Sequence, residues 1–210
     1  MTDAVQFYTN PMSRGQIIRW MLEEIGEPYD VHLLDYASSM KAPDYLAINP
    51  MGKVPAIMHR GKVVTESAAI CAYLAETFPS VGLAPTPDER ADYYRWLFFA
   101  AGAVEPAMSH KAAGFAPTAE NERMLGYGTF ERTVDVLAAH LEGRDFICGD
   151  RFNAADVYVG SMVLWGTQFN LLPARPSFDR YGARLTERAA YKRAKEIDNA
   201  LIAAAQAVPA

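Results

Sequence analysis

The sequence contains little cysteine, and its two cysteines are far apart along the 210 residues. Cys71 and Cys148 form no closely spaced pair. A disulfide framework or a structural zinc site needs clustered cysteines, so neither is expected. We therefore predict a protein without a bound metal, whose simplest compartment is the reducing cytoplasm.

Positive charge is also limited and is concentrated nowhere in the chain. The 20 lysines and arginines are outnumbered by 25 aspartates and glutamates, which gives a formal net charge of −5. Proteins that bind nucleic acids or anionic membranes need clustered basic side chains to neutralise phosphate groups. The scattered basic residues therefore predict no nucleic-acid partner and no polybasic membrane patch.

Long apolar runs are missing as well. No segment approaches the roughly 20 consecutive apolar residues that a transmembrane helix needs. Residues 1–4 lack the basic and apolar regions of a secretory signal. The sequence therefore predicts no membrane partner.

What the sequence does contain is a change of pattern near residue 80. Before it, an alternating strand-like segment ends at Asn10 and Pro11, and Ser13 stands at the predicted N-cap of a helix that Gly26 closes. The further elements are a strand over 29–33, a helix over 43–48, a hairpin over 54–64 and a helix over 67–78. The order βαβ-α-ββα predicts an α/β thioredoxin-like domain over residues 1–79, with one parallel strand pair and one hairpin.

Residues 80–87 are predicted to be a linker, because proline and glycine interrupt any helical period there. From residue 88 to residue 210 strand signals almost vanish, which predicts an all-α C-terminal domain. Helical periods cover residues 88–110, 119–141, 154–169 and 184–205. Residues 154–169 are apolar nearly all round and are predicted to form the buried central helix. Glu105 and Pro106 are predicted to kink the first helix of this C-terminal domain, over residues 88–110.

Three turns of the first domain are candidates for a functional site. Tyr8 and Ser13 bracket a turn that leads into a helix N-terminus, which attracts an anion or a thiolate, although Ser13 also suits a plain N-cap. Val54 and Pro55 end a turn rich in proline and glycine, where a cis bond would turn the Val54 backbone outward to pair with an extended peptide. A rigid turn without a ligand is the alternative there.

The third turn is the start of the helix that follows the hairpin. Glu66 complements the helix dipole, and Ser67 offers a hydroxyl and an N–H group at the same end. Capping alone would explain both residues. The order of the three turns along the chain, however, predicts that they converge at one edge of a thioredoxin-like domain.

Motifs in both predicted domains resemble the cytosolic glutathione transferases. The matching segments are FYTNPMS at 7–13, RWMLEEIG at 19–26, NPMGKVP at 49–55, TESAAI at 65–70 and GDRFNAAD at 149–156. In the last segment Asn153 is a predicted N-cap and Asp156 its reciprocating carboxylate, a capping box that Phe152 and Val157 could extend with a hydrophobic staple. The resemblance spans nearly the whole chain, with the motifs in the family's order.

This resemblance implies a glutathione site, with glutathione as co-substrate. The Val54 backbone would pair with the cysteinyl part of glutathione, and Pro55 would be the cis proline of the family. Glu66 and Ser67 would hold the ammonium and carboxylate of the γ-glutamyl end. The side chains of Lys41 and Lys53 would lie near the glycyl carboxylate.

Two hydroxyl groups are candidates for activating the glutathione sulfur. Ser13 follows Asn-Pro-Met as the catalytic serine follows a comparable turn in the serine classes of the family. Tyr8 lies twelve residues before Trp20, the spacing found in the tyrosine classes. We favour Ser13, because the field of the helix N-terminus and the hydroxyl donor act together there, and Tyr8 stays the alternative. The turn contains no cysteine, which disfavours the cysteine-dependent classes.

An apolar electrophile is expected to bind between the domains. The candidate contacts are Met12, Tyr94, Phe98, Phe99, Met108 and His110, although aromatic residues at helical spacing also suit a core or a dimer interface. By the same resemblance the protein would be a homodimer with a role in detoxification. The predicted function is transfer of glutathione to an apolar electrophile. A glutathione-dependent disulfide reductase or peroxidase and a non-catalytic ligand-binding protein are the alternatives.

Overall fold

A computed structural model describes residues 4–207, so residues 1–3 and 208–210 of the predicted domains lie outside the described residues. Contacts divide the chain into two units. The first, the sheet unit, runs through Gly82 and also takes in the residues from Arg188 onward, and the second, the helical unit, spans Leu83–Glu187. The sequence-based division at residues 79 and 88 assigns the residues after Arg188 to the helical domain, whereas their contacts group them with the sheet.

The sheet unit is built on four strands in the order β2-β1-β3-β4. The strands are β1 (Val5–Thr9), β2 (Tyr29–Leu33), β3 (Ala56–His59) and β4 (Lys62–Val64). β1 and β2 are parallel, and β3 is antiparallel to both β1 and β4. A parallel pair joined to a hairpin is the predicted arrangement, and the thioredoxin-like fold is confirmed.

Among the described residues, three α-helices alternate with the strands in the sheet unit, and six more follow these along the chain. The first three are α1 (Gly15–Ile25), α2 (Pro43–Leu46) and α3 (Ser67–Thr77). The helical unit contains α4 (Arg90–Phe99), α5 (Glu105–Ala112), α6 (Phe130–His140), α7 (Ala154–Gln168) and α8 (Pro176–Thr186), and α9 (Ala189–Gln206) follows it. α7 is buried over most of its length, as its all-round apolar sequence predicts.

The first helix illustrates what capping patterns predict correctly and what they miss. Gly26, with a φ of 76°, ends α1 and donates its N–H to the Leu22 carbonyl, as expected of a left-handed C-cap. The predicted N-cap role of Ser13 is wrong, because Arg14 occupies that position and has no side-chain cap. The Ser13 hydroxyl lies one residue earlier and accepts the N–H of Gly15 at 2.9 Å.

Two predictions within the helical unit differ from the structure. Residues 119–129 do not continue α6, because Gly128 has a φ of 64° and Thr129 caps the helix by accepting the Arg132 N–H. The distortion expected at Glu105 and Pro106 is a π-helical turn over Ala100–Val104, just before them. The backbone stays helical from α4 through this turn into α5, so Pro106, which has no N–H to donate, lies directly after the turn where the hydrogen-bond spacing changes.

The predicted capping box at the start of α7 is confirmed. Asn153 accepts the Ala155 N–H at 2.9 Å, and Asp156 accepts the Asn153 N–H at 2.9 Å. The other Asp156 oxygen accepts the Ile147 N–H at 2.7 Å and the Tyr181 hydroxyl at 2.8 Å. This fully buried carboxylate therefore joins the preceding loop, α7 and α8.

Charged pairs attach α9 to α1 within the sheet unit. Arg19 Nε lies 3.2 Å from Asp198 Oδ1, and both side chains are only 2% exposed. Arg188 donates to the two Glu24 carboxylate oxygens at 2.6 and 2.7 Å. Separating a buried ion pair leaves an uncompensated charge, so the Arg19–Asp198 pair fixes the position of α9 on α1.

A further charged pair joins the loops before α4 and α7. Arg151 donates to both carboxylate oxygens of Glu89 and, at 2.8 Å, to the Ala84 carbonyl. Burial acts to raise the pKa of Glu89, but the hydrogen bonds from Arg151 and Thr86 and the guanidinium charge outweigh it and lower the pKa. An acid with a lowered folded-state pKa contributes stability above its unfolded pKa and loses it as the pH falls through the folded pKa.

We expect Arg151→Met to lower the free energy of unfolding by about 1 kcal/mol at neutral pH. The loss should shrink when the pH falls below about 4, because a protonated Glu89 gains little from the guanidinium. Urea unfolding at neutral and acidic pH measures both values. Arg175→Met, which removes an exposed pair with Asp135, is the control and should have a smaller effect at both. An Arg151→Met loss of equal size at both pH values contradicts the prediction.

Candidate functional site

The first of the three turns connects β1 to α1 and is held by Asn10. Asn10 Oδ1 accepts the Met12 N–H at 2.9 Å, and its Nδ2 donates to the Leu34 carbonyl at 2.8 Å. Ser13 is half-buried, and its hydroxyl donates to the Asn10 carbonyl at 2.6 Å and accepts the Gly15 N–H at 2.9 Å. Ser13 Oγ therefore lies at the positive end of the α1 dipole.

The second turn leads into β3 and repeats this construction. Asn49 Oδ1 accepts the Met51 N–H at 3.1 Å, and its Nδ2 donates to the Lys53 carbonyl at 2.8 Å. The Tyr45 hydroxyl donates to the same carbonyl at 2.5 Å. The following Val54–Pro55 peptide bond is cis, as the resemblance implies.

The two lysines at this turn have different surroundings. Lys41 Nζ donates to the Gly52 carbonyl at 2.8 Å and so supports the turn backbone. Gly52 has a φ of 56°, and a Cβ there would lie 2.8 Å from the Met40 carbonyl oxygen, so only glycine fits. Lys53 is exposed, and its backbone carbonyl rather than its side chain takes part in these contacts.

The third turn ends at Glu66, directly before α3. Glu66 is exposed and has a φ of 64° and a ψ of 114°, which is rare for a residue other than glycine. Such a backbone costs on the order of 1–3 kcal/mol and is typical of functional sites. Ser67 follows as the half-buried first residue of α3.

The strand register brings these turns to the same edge of the sheet. Tyr8 is paired with Ala56, so the residues that follow β1 lie beside those that precede β3. Ile57 is paired with Val64, so the residues that follow β4 also lie beside the start of β3. The hydroxyl of the first turn, the cis-proline turn and the start of α3 thus share one edge, as their order along the chain predicts.

Tyr8, the alternative hydroxyl, is packed into the sheet unit. It is 8% exposed, lies in a cluster with Met40, Tyr45 and Ala56, and stacks on the His32 ring at a centroid distance of 4.6 Å. Burial raises the pKa of Tyr8, so its phenol stays protonated at neutral pH. Tyr8 therefore has the surroundings of a core aromatic, whereas Ser13 lies at a helix end.

The residues predicted to contact an electrophile are distributed over both units. Met12 in the sheet unit is 63% exposed, and Tyr94 and Phe98 on α4 are 38% and 73% exposed. Phe99 packs against the core of the helical unit, and Met108 is buried. The first three are thus exposed apolar side chains, while Phe99 and Met108 have core surroundings.

His110, the sixth of these residues, lies beside a cavity of about 450 Å³ within the helical unit. One of its ring nitrogens is 2.8 Å from the Tyr127 hydroxyl, and its ring packs edge-on against Phe115. Lys111 lies over the Phe130 ring at 4.0 Å from the ring centre. The cavity wall therefore combines aromatic side chains with His110, Lys111 and two acidic residues, Glu122 and Glu131.

Sequence reasoning missed several residues that hold the turns. Tyr36 donates to the Met12 carbonyl at 3.1 Å, and Gln16 Nε2 donates to the Pro11 carbonyl at 2.6 Å. The repeated Asn-Pro-Met was an available signal for Asn10 and Asn49, because asparagine side chains readily accept the N–H two residues on. No local pattern signals Tyr36 or Gln16, whose partners depend on the folded turn.

Both cysteine thiols lie outside the three turns. Burial raises the pKa of the Cys148 thiol to about 12, and Cys71 is fully buried. Within residues 4–207, no three His, Cys, Asp or Glu side chains are grouped so that they could hold a metal ion. In the same range no helix is both long enough and apolar enough to cross a membrane.

Comparison with known families and relatives gives consistent matches in both units. The family model for the N-terminal domain of glutathione S-transferases matches residues 12–77, and that for the C-terminal domain matches residues 116–196. The chain is 30% identical over 172 residues to glutathione S-transferase GST-4.5 of Xanthomonas campestris pv. campestris. The aligned region covers 77% of this chain and 82% of that protein.

Solved structures show the same similarity. A glutathione transferase from Methylococcus capsulatus matches with a TM-score of 0.76 and 25% identity over 93% of this chain and 99% of that one. A glutathione transferase family member from Pseudomonas fluorescens, solved with two glutathione molecules bound, matches with a TM-score of 0.72 and 28% identity over 92% of this chain and 93% of that one.

Proposed function

The chain belongs to the glutathione S-transferase family, and we propose that it activates the thiol of glutathione at the Ser13 turn for attack on an apolar electrophile. Glutathione transferase activity follows from the family matches in both units. The observation that carries the residue assignments is the common sheet edge of the three turns. An extended tripeptide along this edge would reach a strand backbone, a helix N-terminus and a hydroxyl.

Each part of glutathione has a complementary group at this edge. The Val54 backbone pairs with the cysteinyl residue by adding a short strand. The Glu66 carboxylate holds the γ-glutamyl ammonium, and Ser67 at the N-terminus of α3 holds the carboxylate. The glycyl carboxylate lies near the ammonium groups of Lys41 and Lys53.

Ser13 then stabilises the thiolate. A free thiol has a pKa near 8.5, so ionisation at neutral pH needs a drop of about two units, or roughly 2.7 kcal/mol. A hydrogen bond to a charged group supplies about 1.5–3 kcal/mol, and a helix N-terminus about 0.3–2 kcal/mol. The Ser13 hydroxyl, which donates to the Asn10 carbonyl, turns to the sulfur when glutathione is bound. Together the two effects supply about 1.8–5 kcal/mol, a range that includes the required ~2.7 kcal/mol without a metal.

The thiolate attacks the electrophile directly. A sulfur–carbon bond forms as the leaving group departs with its electron pair, and the chain supplies proximity and anion stabilisation. Within the sheet unit we assign an electrophile contact to the exposed Met12, which lies in the same turn as Ser13, because a flexible methionine side chain suits varied apolar ligands. Within the helical unit the exposed aromatic side chains of Tyr94 and Phe98 are the contacts that the family resemblance implies. His110 remains a proposed electrophile contact because it lines the cavity of the helical unit. Phe99 and Met108 are assigned to the hydrophobic core instead.

We further propose that the protein is a homodimer and that it acts in detoxification in the cytoplasm. Family membership supports the dimer and the role in detoxification. The two free cysteines support a reducing compartment. Analytical ultracentrifugation tests the oligomeric state. A sedimentation coefficient of a single chain at working concentration would contradict the dimer.

Turnover of two substrates tests the proposed reaction. We expect the protein to conjugate glutathione with 1-chloro-2,4-dinitrobenzene, with release of chloride, faster than it reduces a mixed disulfide of glutathione. Conjugation is followed by the absorbance of the product, and reduction by a coupled assay for oxidised glutathione. Faster disulfide reduction would assign the chain to the reductase alternative, and the absence of both reactions would indicate a ligand-binding protein.

Glu66→Gln is expected to raise the Kd for glutathione about tenfold, because it removes one charged hydrogen bond to the ammonium. The melting temperature should stay the same, since Glu66 is exposed and glutamine keeps its size. Isothermal titration calorimetry measures the affinity. Glu76→Gln, an exposed change nearer the other end of α3, is the control and should leave the Kd unchanged. An equal Kd in Glu66→Gln and wild type rules out the assigned contact.

A further inference from the structure

A line of hydrogen bonds runs from α9 to the turn that carries Ser13. Lys195 Nζ on α9 donates to Gln16 Oε1 at 2.9 Å, and Gln16 Nε2 donates to the Pro11 carbonyl at 2.6 Å. Lys195 and Gln16 are both half-buried, and Pro11 is buried. The Pro11 carbonyl precedes Ser13 by only two residues.

The chemistry of the two partners fixes the orientation of the Gln16 amide. An ammonium group can only donate, so it must face Oε1, and a carbonyl can only accept, so it must face Nε2. If Lys195 is removed, the amide loses the contact that selects this orientation. The charge on Lys195 also polarises the amide and strengthens the bond from Nε2 to Pro11.

We infer that Lys195 and Gln16 are positioning residues for thiol activation, and that α9 thereby sets the position of the Ser13 hydroxyl. The inference rests on the proposed function, in which Ser13 donates to the glutathione thiolate. Besides Ser13 itself, several side chains restrain the carbonyls and N–H groups of this turn. Among them are Asn10, which binds the Leu34 carbonyl and the Met12 N–H, Tyr36, which binds the Met12 carbonyl, and Gln16.

Only a small displacement of the turn is needed to weaken activation. A hydroxyl donor is effective over a narrow range of distance and angle, and its strength falls steeply outside that range. Loss of the Gln16 restraint lets the turn backbone sample positions in which Oγ no longer faces the sulfur. The expected consequence is a less acidic bound thiol, while the contacts that bind the rest of glutathione are kept.

Attachment of α9 by itself does not require Lys195. The buried Arg19–Asp198 pair and the Arg188–Glu24 pair already hold α9 on α1. Arg193 offers a matched comparison, because it is also a cation on α9 and binds Glu23 on α1, at 3.2 Å, without touching the turn. A specific role for Lys195 therefore predicts different behaviour for the two cations.

The test is the pKa of the bound glutathione thiol, measured from thiolate ultraviolet absorbance against pH. We expect Lys195→Met and Gln16→Met each to raise this pKa by about half a unit to one unit, as loss of part of one hydrogen bond implies. Lys195→Arg should restore the wild-type value, because it also donates to Gln16 Oε1. Arg193→Met should leave the value unchanged, which controls for the loss of one positive charge. At a pH below the bound thiol pKa of each protein, where the shift in pKa does not enter the affinity, the Kd for glutathione should stay within about twofold of wild type in all four.

A second measurement keeps the result independent of folding. Hydrogen exchange of the Met12 and Ser13 amides should be faster in Lys195→Met and Gln16→Met, and unchanged in Arg193→Met. An unchanged thiol pKa in Lys195→Met and Gln16→Met overturns the inference, and so does an equal rise in Arg193→Met. A wild-type thiol pKa near that of free glutathione is a different result, because it refutes the proposed activation by Ser13 itself.

Discussion

Ser13→Ala is expected to raise the pKa of the bound glutathione thiol by about one to two units. The variant loses the hydroxyl that stabilises the thiolate but keeps the field of the α1 N-terminus. At a pH below both thiol pKa values, the thiolate fraction and hence kcat/KM should fall by about 10- to 100-fold. At the same pH glutathione is bound as the thiol, so its Kd should change little, because the Val54 and Glu66 contacts do not involve Ser13.

Thiolate absorbance against pH and the pH profile of kcat/KM measure this effect in two independent ways. The loss should shrink at high pH, where the thiol is ionised in both proteins. Ser13→Thr keeps a hydroxyl and should retain most of the activity, which separates loss of the donor from disturbance of the turn. The melting temperature should be recorded as well, because Ser13 also accepts the Gly15 N–H.

Tyr8→Phe is the matched test of the alternative donor. We expect the thiol pKa to be unchanged, because Tyr8 lies in a buried cluster and stacks on His32. If the pKa of the bound thiol equals the wild-type value in Ser13→Ala and is raised in Tyr8→Phe, Tyr8 is the donor instead of Ser13. A raised pKa in both variants would show that the two hydroxyls act together on the sulfur.

Asp156→Ala is expected to lower the free energy of unfolding by about 3–5 kcal/mol. The Asp156 carboxylate is fully buried and accepts hydrogen bonds from the Asn153 and Ile147 N–H groups and from the Tyr181 hydroxyl. Alanine leaves these three buried donors without the carboxylate. Since a domain is stable by only about 5–15 kcal/mol, the change removes a large part of the total.

The Tyr181 side of this contact can be tested separately. Burial, and then the negative charge of Asp156, raise the pKa of Tyr181, so its hydroxyl stays a donor throughout the neutral range. Tyr181→Phe removes one of the three donors and keeps the carboxylate bonded to the other two. We expect it to cost about 1 kcal/mol, well below the cost of Asp156→Ala.

Urea unfolding followed by circular dichroism measures both changes in stability. Asp135→Ala is the control, because Asp135 is an exposed acid on α6 whose pair with Arg175 lies at the surface. It should change the free energy of unfolding by less than about 1 kcal/mol. An Asp156→Ala protein as stable as the Asp135→Ala protein would refute a structural role for the buried carboxylate.

Local patterns were sufficient for the elements with strong periodicity and capping. The stripe of α1 and its closing Gly26, the all-round apolar α7 and the box formed by Asn153 and Asp156 were all predicted. Each depends on contacts within one turn of backbone or on how much of the helix surface is buried, and residues close together in the sequence determine both. Where two signals compete, as in residues 119–129, the apolar period alone misled, because Gly128 breaks the helix.

The sequence by itself determined the family, the order of the elements and the three turns that form the candidate site. Only the tertiary structure decided which groups hold those turns, because Tyr36, Gln16 and Lys195 act on carbonyls that the folded backbone presents to them. It also decided that α9 packs on the sheet unit, since the Arg19–Asp198 pair joins residues 179 positions apart. Contacts between distant segments leave no periodic or local mark in the chain, so they appear only once the sheet and its helices are assembled.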